Sequence, residues 1–278
     1  MLHRHRLHAS HPASHTERLR VASYNIHKGV RGVGPRKRLE IHNLKGGIEM
    51  LEADLVALQE VRLFHHREAK RFSYGPDRWP QQGQAEFLAP AGYHTAYRTN
   101  AITRHGEHGN ALLSRLPMGD VGHHDVSDHR FEQRGLLHVP VYWQEQCVHV
   151  IVAHFGLVHT SRVRQVQRLA NLLETEVPAK ESVIVAGDFN DWAERLDPAM
   201  AQIGLQRAQS VGAEDSARRA KPPTFPALAP VFALDRIYVR GLQCVNTWVP
   251  RGAQWARMSD HLPVVMEFEP STGTLSGG

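Results

Sequence analysis

The segment IVAGDFNDW (184–192) places Asp188 and Asn190 directly after an apolar run that ends at Gly187. Clusters of short polar residues at the carboxyl end of a strand are usually turns. In hydrolases, the same position is also used to hold a water molecule or a metal ion at the edge of a sheet. The two interpretations are distinguished by whether other strands of the chain end in matching polar groups.

Further apolar runs begin or end beside polar side chains that suit chemistry. These candidates are Asn25, Glu60, His154, Asp235 and the neighbouring pair Asp260 and His261. Taken one at a time, each has a structural explanation as an Asx turn, a solvated strand edge or an ion pair. Taken together, they combine oxygen ligands, a spare carboxylate and two imidazoles, and separate structural roles do not explain that combination.

Oxygen donors make up one part of this set. Asn25, Glu60 and Asp260 offer carboxylate and amide oxygens, which suit a hard divalent cation rather than Zn²⁺. Asp188, placed beside that ion, is able to orient or deprotonate a water molecule. The predicted cofactor is therefore Mg²⁺ or Mn²⁺.

The remaining candidates suit a phosphoryl group. His154, and His261 held by Asp235, are able to polarise a phosphoryl oxygen or to transfer a proton. Asn190 is able to donate a hydrogen bond to the charge that develops on that group. The pattern as a whole predicts metal-assisted attack of water on phosphorus, in which positioning and charge stabilisation lower most of the barrier.

Ten strand-like runs are available to position these residues. Several are almost purely apolar, as expected of strands that are covered on both faces. The runs are 19–26, 54–61, 92–98, 109–114, 135–143, 147–155, 182–187, 234–239, 242–249 and 262–269. They predict an α/β fold of two mixed β-sheets packed face to face, with helices outside.

Two helices are predicted from apolar residues spaced three and four apart. The first carries Ile41, Leu44, Ile48 and Leu51 on one face. The second carries Val163, Val166, Ala170 and Leu173, and Ser161 is placed to cap its start. Residues 208–230 are rich in Ala, Pro and charge, and they are predicted to form a long surface loop within one domain.

Charge is unevenly distributed along the chain. The formal net charge is +5, and the first twenty residues hold four Arg and one Glu, which supply +3 of it. We predict a disordered His/Arg-rich leader at 1–19, one domain at 20–270 and a flexible tail at 271–278. The nearly neutral body lacks the basic surface of a dedicated duplex-binding protein.

Location and cysteine usage are also predictable. No apolar stretch is long enough to span a membrane, and no secretory signal is recognisable. Cys147 and Cys244 each lie in a strand-like run and are predicted to be free thiols of a cytoplasmic, monomeric protein. His123 and His124, with Asp125 nearby, suggest a transition-metal site, but no motif supports it, so an ordinary structural role is favoured.

Seven motifs occur in a family order: SYNI, LQEV, GNALLS, AHFGL, GDFND, LDRIYV and SDHLPV. This order resembles the endonuclease/exonuclease/phosphatase superfamily, which includes pancreatic-type deoxyribonuclease, abasic-site endonucleases, neutral sphingomyelinases and inositol polyphosphate phosphatases. The resemblance covers about residues 20–269. It implies a four-layer α/β sandwich with the active site at one edge of the paired sheets.

The resemblance assigns roles to the same candidates. It implies that Glu60 is the main metal ligand and that Asn25 and Asp260 support it. It also implies that Asp188 and Asn190 activate water and contact the phosphate.

Further roles follow from the other motifs. The resemblance pairs Asp235 with His261. Asn110, in GNALLS, is expected to contact the substrate, as are Arg251 and Arg257, which precede the last motif and suit a phosphate.

Two departures disfavour abasic-site repair. His154 falls where the deoxyribonuclease and sphingomyelinase branches have His and where abasic-site enzymes typically have Tyr. Val61 and Arg62 follow Glu60, whereas abasic-site enzymes usually have Lys after the Glu motif. The segments SYNIHKGV, and HFGL followed by RVRQVQRL, instead resemble an uncharacterised bacterial branch, some of whose members are encoded near phospholipid-synthesis genes.

The predicted function is a divalent-metal-dependent phosphodiesterase. A DNA endonuclease or exonuclease is one alternative, and a sphingomyelinase-like phosphodiesterase acting on lipid head groups is another. A small-molecule substrate and peripheral contact with a membrane also stay open. A catalytically inactive binding module is disfavoured because no core residue of the motifs is lost.

Overall fold

Two six-stranded sheets form the centre of the protein in a computed structural model, which describes residues 18–128, 132–210 and 221–271. The predicted leader, apart from Arg18 and Leu19, and the predicted tail, apart from Ser271, lie outside the described residues. The described strands are β1 (Leu19–Asn25), β2 (Val30–Arg31), β3 (Arg38–Leu39), β4 (Leu55–Val61), β5 (His94–Thr103), β6 (Gly106–Ser114), β7 (Gly122–Asp125), β8 (Gly135–Trp143), β9 (Gln146–His154), β10 (Ser182–Asp188), β11 (Gln206–Arg207), β12 (Asp235–Arg240), β13 (Leu242–Trp248) and β14 (Val264–Pro270).

The strands are arranged in two mixed sheets and one small hairpin. The first sheet has the order β13-β14-β1-β4-β6-β5, and the second has the order β11-β12-β10-β9-β8-β7. The pairs β1/β4 and β9/β10 are parallel, so their carboxyl ends lie at the same edge of each sheet. Strands β2 and β3 pair only with each other.

Helices cover both outer faces. The described α-helices are α1 (Ile41–Leu51), α2 (His66–Arg71), α3 (Gln84–Leu88), α4 (His159–Glu176), α5 (Asp197–Gln202) and α6 (Trp255–Met258). Residues of α1, α3 and α6 share a buried apolar cluster with the first sheet, and α4 and α5 share one with the second sheet. None of the described helices combines the length and apolar character that a membrane crossing requires.

A third apolar cluster lies between the two sheets and is formed by alternate residues of their strands. Burial of this face, at roughly 25 cal/mol per Å² of apolar surface, is the main force that packs the sheets together. The result is a four-layer α/β sandwich, which confirms the predicted fold class. All ten predicted runs overlap a strand, whereas the short strands β2, β3, β7 and β11 were not predicted.

The start of α4 differs from the prediction. The helix begins at His159 with Val158 at its N-cap, so Ser161 lies inside the first turn and is not the cap. Its hydroxyl instead donates to Asp128 Oδ2 at 2.6 Å. The buried face of α4 also differs from the predicted one. Leu169 and Leu172 are buried, whereas Ala170, which was predicted to lie on the apolar face, is only partly buried.

Candidate active site

The register of the second sheet places Asp188 between two other candidates. In the β9/β10 pair Asp188 lies opposite His154, and in the β10/β12 pair it lies opposite Asp235. Gly187 precedes it within β10, where a Cβ atom would lie 1.9 Å from the carbonyl oxygen of Ala153. Glycine is therefore required at position 187 for the close approach of β9.

The first sheet ends at the same edge of the sandwich. Asn25 is the last residue of β1 and lies opposite Gln59 of β4. Glu60 follows at a register shift between β4 and β6 and has a φ of 57°, in the left-handed region that non-glycine residues rarely adopt. This bulge turns the Glu60 side chain out of the ladder.

The segment before β14 completes the site from the opposite direction. β14 runs antiparallel to β1, so residues 259–261 lie beside the carboxyl end of β1. The Ser259 hydroxyl donates to the Asn25 carbonyl at 2.7 Å, which fixes this segment against the strand. Asp260 and His261 therefore face the same edge as Asn25.

Asp188 is at the centre of the resulting contacts. Its Oδ2 accepts a hydrogen bond from Asn25 Nδ2 at 3.0 Å and lies 3.7 Å from Nε2 of both His154 and His261. Its Oδ1 accepts the backbone N–H of Asn190 at 2.9 Å. One carboxylate oxygen thus faces two imidazoles while the other is used to fix the turn.

The two imidazoles differ in charge. Burial alone lowers the pKa of His261, but Asp235 and Asp188 raise it to about 10. Nδ1 of His261 lies 2.8 Å from Asp235 Oδ2, and that oxygen also accepts the Thr224 hydroxyl at 2.6 Å. Burial and the nearby Arg134 lower the pKa of His154 to about 4. At neutral pH the site therefore holds one imidazolium and one neutral imidazole.

Glu60 already faces a cation. Burial alone would raise the pKa of Glu60, but Lys28 and His154 lower it well below its usual range. The Lys28 ammonium lies 2.5 Å from Glu60 Oε2, and Asn25 Nδ2 lies 3.5 Å from Oε1. Across the site, Asp260 Oδ2 lies 3.2 Å from Nδ1 of His27.

These oxygens fit a hard divalent ion. Glu60 and Asp260 supply carboxylates, and the Lys28 ammonium shows that positive charge is stabilised beside Glu60. Asn25 turns its amide nitrogen toward the carboxylates, while its oxygen accepts the His27 N–H at 3.0 Å. This geometry gives Asn25 a positioning role, and its role as a ligand stays a prediction.

Asn190 lies inside the cluster, but its side-chain amide already donates one hydrogen bond. Its φ is 48°, and its Nδ2 donates to the Phe155 carbonyl at 2.9 Å. The second hydrogen of that amide has no described acceptor. A contact between Asn190 and a phosphate therefore stays a prediction that the geometry permits.

The three predicted substrate contacts lie outside this cluster. Asn110 is fully buried, and its Nδ2 donates to the carbonyls of Gly135 and Val152, which leaves only an acceptor oxygen. Arg251 is exposed and donates to the Pro223 carbonyl at 3.5 Å. Arg257 is exposed at the end of α6. Their roles stay predictions.

Sequence reasoning missed three residues that contact the cluster: His27, Lys28 and Thr224. His27 and Lys28 form a short 3₁₀ turn after β1 with φ values of 44° and 62°. Their position directly after the SYNI motif was the available signal. Thr224 comes from the segment that was predicted only as a loop.

Asp191 has a different environment from Asp188. It is completely buried, and its Oδ2 lies 2.9 Å from the buried guanidinium of Arg236. Its Oδ1 lies 3.6 Å from Arg162 Nη2, and its backbone carbonyl accepts Arg236 Nη2 at 2.7 Å. Asp191 therefore fixes the loop after β10 and does not face the site.

Sequence comparison shows which protein family this chain resembles over most of its length. The sequence profile of the Endonuclease/Exonuclease/phosphatase family matches residues 22–261. The uncharacterized protein YbhP of Escherichia coli (strain K12) is 34% identical over 253 residues, which cover 90% of this chain and 95% of YbhP.

Two solved structures establish the fold by similarity. The endonuclease/exonuclease/phosphatase from Beutenbergia cavernae DSM 12333 has a TM-score of 0.65 and 21% identity, covering 91% of this chain and 72% of that chain. D. rerio TDP2 complexed with single strand DNA product has a TM-score of 0.62 and 16% identity, covering 91% of this chain and 100% of that chain.

The proteins of the matched family are generally divalent-metal-dependent hydrolases of phosphoester bonds. The match includes strands of both sheets, though not β14, and it includes every residue of the cluster around Asp188. This chain belongs to the endonuclease/exonuclease/phosphatase family.

Proposed function

We propose that this chain is a phosphodiesterase that directs water onto phosphorus with Asp188, using Mg²⁺ or Mn²⁺ held by Glu60 and Asp260. The observation that carries the proposal is the environment of Asp188 Oδ2, which faces a neutral His154 and a protonated His261. Residues with such divergent protonation states are typical of sites that stabilise charge and move protons.

The roles of the side chains follow from their contacts. Asp188 orients the water and accepts its proton as the new P–O bond forms and the bond to the leaving oxygen breaks. His261, charged and fixed by Asp235, donates from Nε2 to the phosphoryl oxygens, where negative charge accumulates. A divalent ion at Glu60 and Asp260 would add Lewis-acid stabilisation of that charge.

A lipid head group is the second candidate substrate, because apolar residues border the site. Leu228 and Val231 are 75% and 68% exposed. Trp192 contacts Phe225 and Phe232 with ring centroids 5.3 and 4.9 Å apart, and the Phe225 ring lies 4.8 Å from that of His261. An aromatic and aliphatic rim of this kind suits acyl chains or stacked bases better than an inositol phosphate.

A substrate panel tests the proposal. Plasmid DNA, RNA, sphingomyelin, glycerophospholipids and inositol phosphates are incubated with the protein and Mg²⁺ or Mn²⁺, with a chelator as control. We expect hydrolysis of a phosphodiester that the chelator abolishes. Hydrolysis of monoesters alone would contradict the phosphodiesterase assignment, and no metal-dependent hydrolysis of any class would contradict the function.

The Glu60→Gln variant is expected to bind Mn²⁺ at least about 100-fold more weakly. Loss of a group that merely supports a metal ligand already costs about 10–100-fold in affinity, and Glu60 is the predicted main ligand. Titration calorimetry measures the affinity directly, and activity against Mn²⁺ concentration provides a second readout. Glu267→Gln is the control. Glu267 lies in the same sheet and pairs with Arg20, so this variant is expected to bind Mn²⁺ as tightly as the wild type.

As the pH is raised, the Asp235→Asn variant is expected to lose activity at a lower pH than the wild type does. Asp235 is the nearest charge that raises the pKa of His261 to about 10, so its removal lets the imidazolium deprotonate earlier. The alkaline limb of kcat/KM should therefore move down from about pH 10, while the acidic limb moves little. Thr224→Val retains the carboxylate and serves as the control. An unmoved alkaline limb in Asp235→Asn would show that His261 does not act as a cation.

A further inference from the structure

Two buried histidines lie side by side far from the phosphoester site. His138 of β8 and His149 of β9 are each 5% exposed, and their rings stack with centroids 5.0 Å apart. They point to the outer face of the second sheet, because the alternate residues Val139 and Val148 point to the core between the sheets. His149 precedes His154 by five residues, which is about 16 Å at roughly 3.3 Å per residue.

Both rings contact acidic side chains at their outer nitrogens. His138 Nε2 lies 2.8 Å from His149 Nδ1, and His149 Nε2 lies 2.5 Å from Glu181 Oε2. At the other end, His138 Nδ1 lies 3.6 Å from Glu176 Oε2. Cys147 approaches the same nitrogen of His149, with Sγ 3.6 Å from Nε2.

The contact between the two rings orients His149. His138 Nε2 and His149 Nδ1 face each other at 2.8 Å, so one of these two nitrogens carries the proton that joins the rings. When that proton lies on Nδ1 of His149, the lone pair of its Nε2 faces Glu181 and Cys147. A cation at Nε2 would select this tautomer.

We propose that Cys147, His149 and Glu181 bind one zinc ion, at a site separate from the phosphoester site. Their ligand atoms lie within 4.8 Å of one another. A thiolate, an imidazole and a carboxylate suit zinc, whereas Mg²⁺ prefers oxygen ligands alone. His138 supports the ligand His149 through the hydrogen bond between the two rings, as metal-bound histidines usually require.

The spacing of the donors is compatible with tetrahedral zinc. Bond lengths of about 2.3 Å to sulfur and 2.0–2.1 Å to nitrogen place such ligands about 3.5 Å apart. Cys147 and His149 already have this separation. Glu181 must move outward by about 1 Å by the same geometry, and its side chain, 36% exposed in the loop between α4 and β10, has room to do so. A fourth position remains for water.

Zinc binding would replace the proton of the Cys147 thiol. A bound divalent cation deprotonates a coordinating thiol outright. Binding of zinc would thereby connect β9 to the loop after α4.

Cobalt spectroscopy tests the site with the full-length protein. The protein is stripped with a chelator and titrated with Co²⁺, whose bond to a thiolate gives a charge-transfer absorption in the near ultraviolet. We expect one such band, which one equivalent of Zn²⁺ removes. Cys147→Ser should lack the band, and Cys244→Ser, which changes the other thiol of the chain, should keep it.

Three further variants separate this site from others. His138→Gln should weaken Zn²⁺ binding by about 10–100-fold while retaining the band at saturating Co²⁺, because it removes a supporting hydrogen bond and no ligand. Glu60→Gln should keep the band, and Cys147→Ser should keep phosphodiesterase activity. The proposal is overturned if the wild type shows no band, if the band survives Cys147→Ser, or if Cys244→Ser or Glu60→Gln removes it.

Discussion

The Asp188→Asn variant is expected to lose about 10²–10⁴-fold of kcat while remaining folded. Loss of a positioned general base typically costs that much, and an amide cannot accept the proton of the attacking water. Asparagine has the size of aspartate and can keep the hydrogen bond from the Asn190 N–H, so the turn after β10 should persist. The measurement is kcat for a chromogenic phosphodiester with saturating Mn²⁺, beside a thermal unfolding curve.

Stability should change little in this variant. It removes the hydrogen bond from Asn25 Nδ2, because the amide nitrogen that replaces Oδ2 cannot accept, and this costs about 1 kcal/mol. Asp235 stays as the counter-charge of His261. His261→Ala should likewise abolish hydrolysis, but it should also lower stability, because it leaves the buried Asp235 carboxylate without its counter-charge. If Asp188→Asn retains a tenth or more of wild-type kcat, Asp188 is not the group that activates water.

The convergence of the strand ends was predictable from sequence. Largely apolar runs at 182–187 and 147–155 indicated strands buried on both faces, and such strands align their carboxyl ends when they pair in parallel. The register then places His154, Asp188 and Asp235 side by side. The same reasoning holds for Asn25 of the first sheet.

Backbone conformation was not predictable in the same way. Glu60 and Asn190 have positive φ values although neither is glycine, and such strain costs of the order of 1–3 kcal/mol each. Only the surrounding tertiary structure enforces it, so no local pattern reveals it. The strained turn at Lys28 also brings its ammonium to Glu60, a contact that no local sequence pattern indicates.

The environment of each buried side chain was also not predictable from sequence. Asp188 and Asp191 both follow the apolar residues of β10 and lie only three positions apart in the sequence. The chain turns between them, so that Asp188 faces the imidazoles and Asp191 faces Arg236. We therefore expect a chemical role for Asp188 and a structural role for Asp191, and substitution of each residue tests these roles separately.

The Asp191→Asn variant is expected to lower the free energy of unfolding by about 3–5 kcal/mol. Removing one partner of a buried ion pair leaves a poorly compensated charge, and here Arg236 and Arg162 both lose the fully buried carboxylate that faces them. Urea unfolding followed by fluorescence measures the change. Asp197→Asn is the matched control, because Asp197 belongs to the same network but is partly exposed, and it should cost about 1 kcal/mol.

Activity per folded molecule should stay within a few-fold of wild type in Asp191→Asn, because Asp191 does not face the site. The double variant Asp191→Leu/Arg236→Met should recover part of the lost stability, since a buried pair replaced by apolar residues no longer requires desolvation of charge. If Asp191→Asn instead loses as much kcat as Asp188→Asn at unchanged stability, the two carboxylates act together on the substrate. The opposite pattern, with activity lost only at Asp188 and stability lost only at Asp191, would mean that one loop combines a chemical carboxylate with the ion pair that holds it in position.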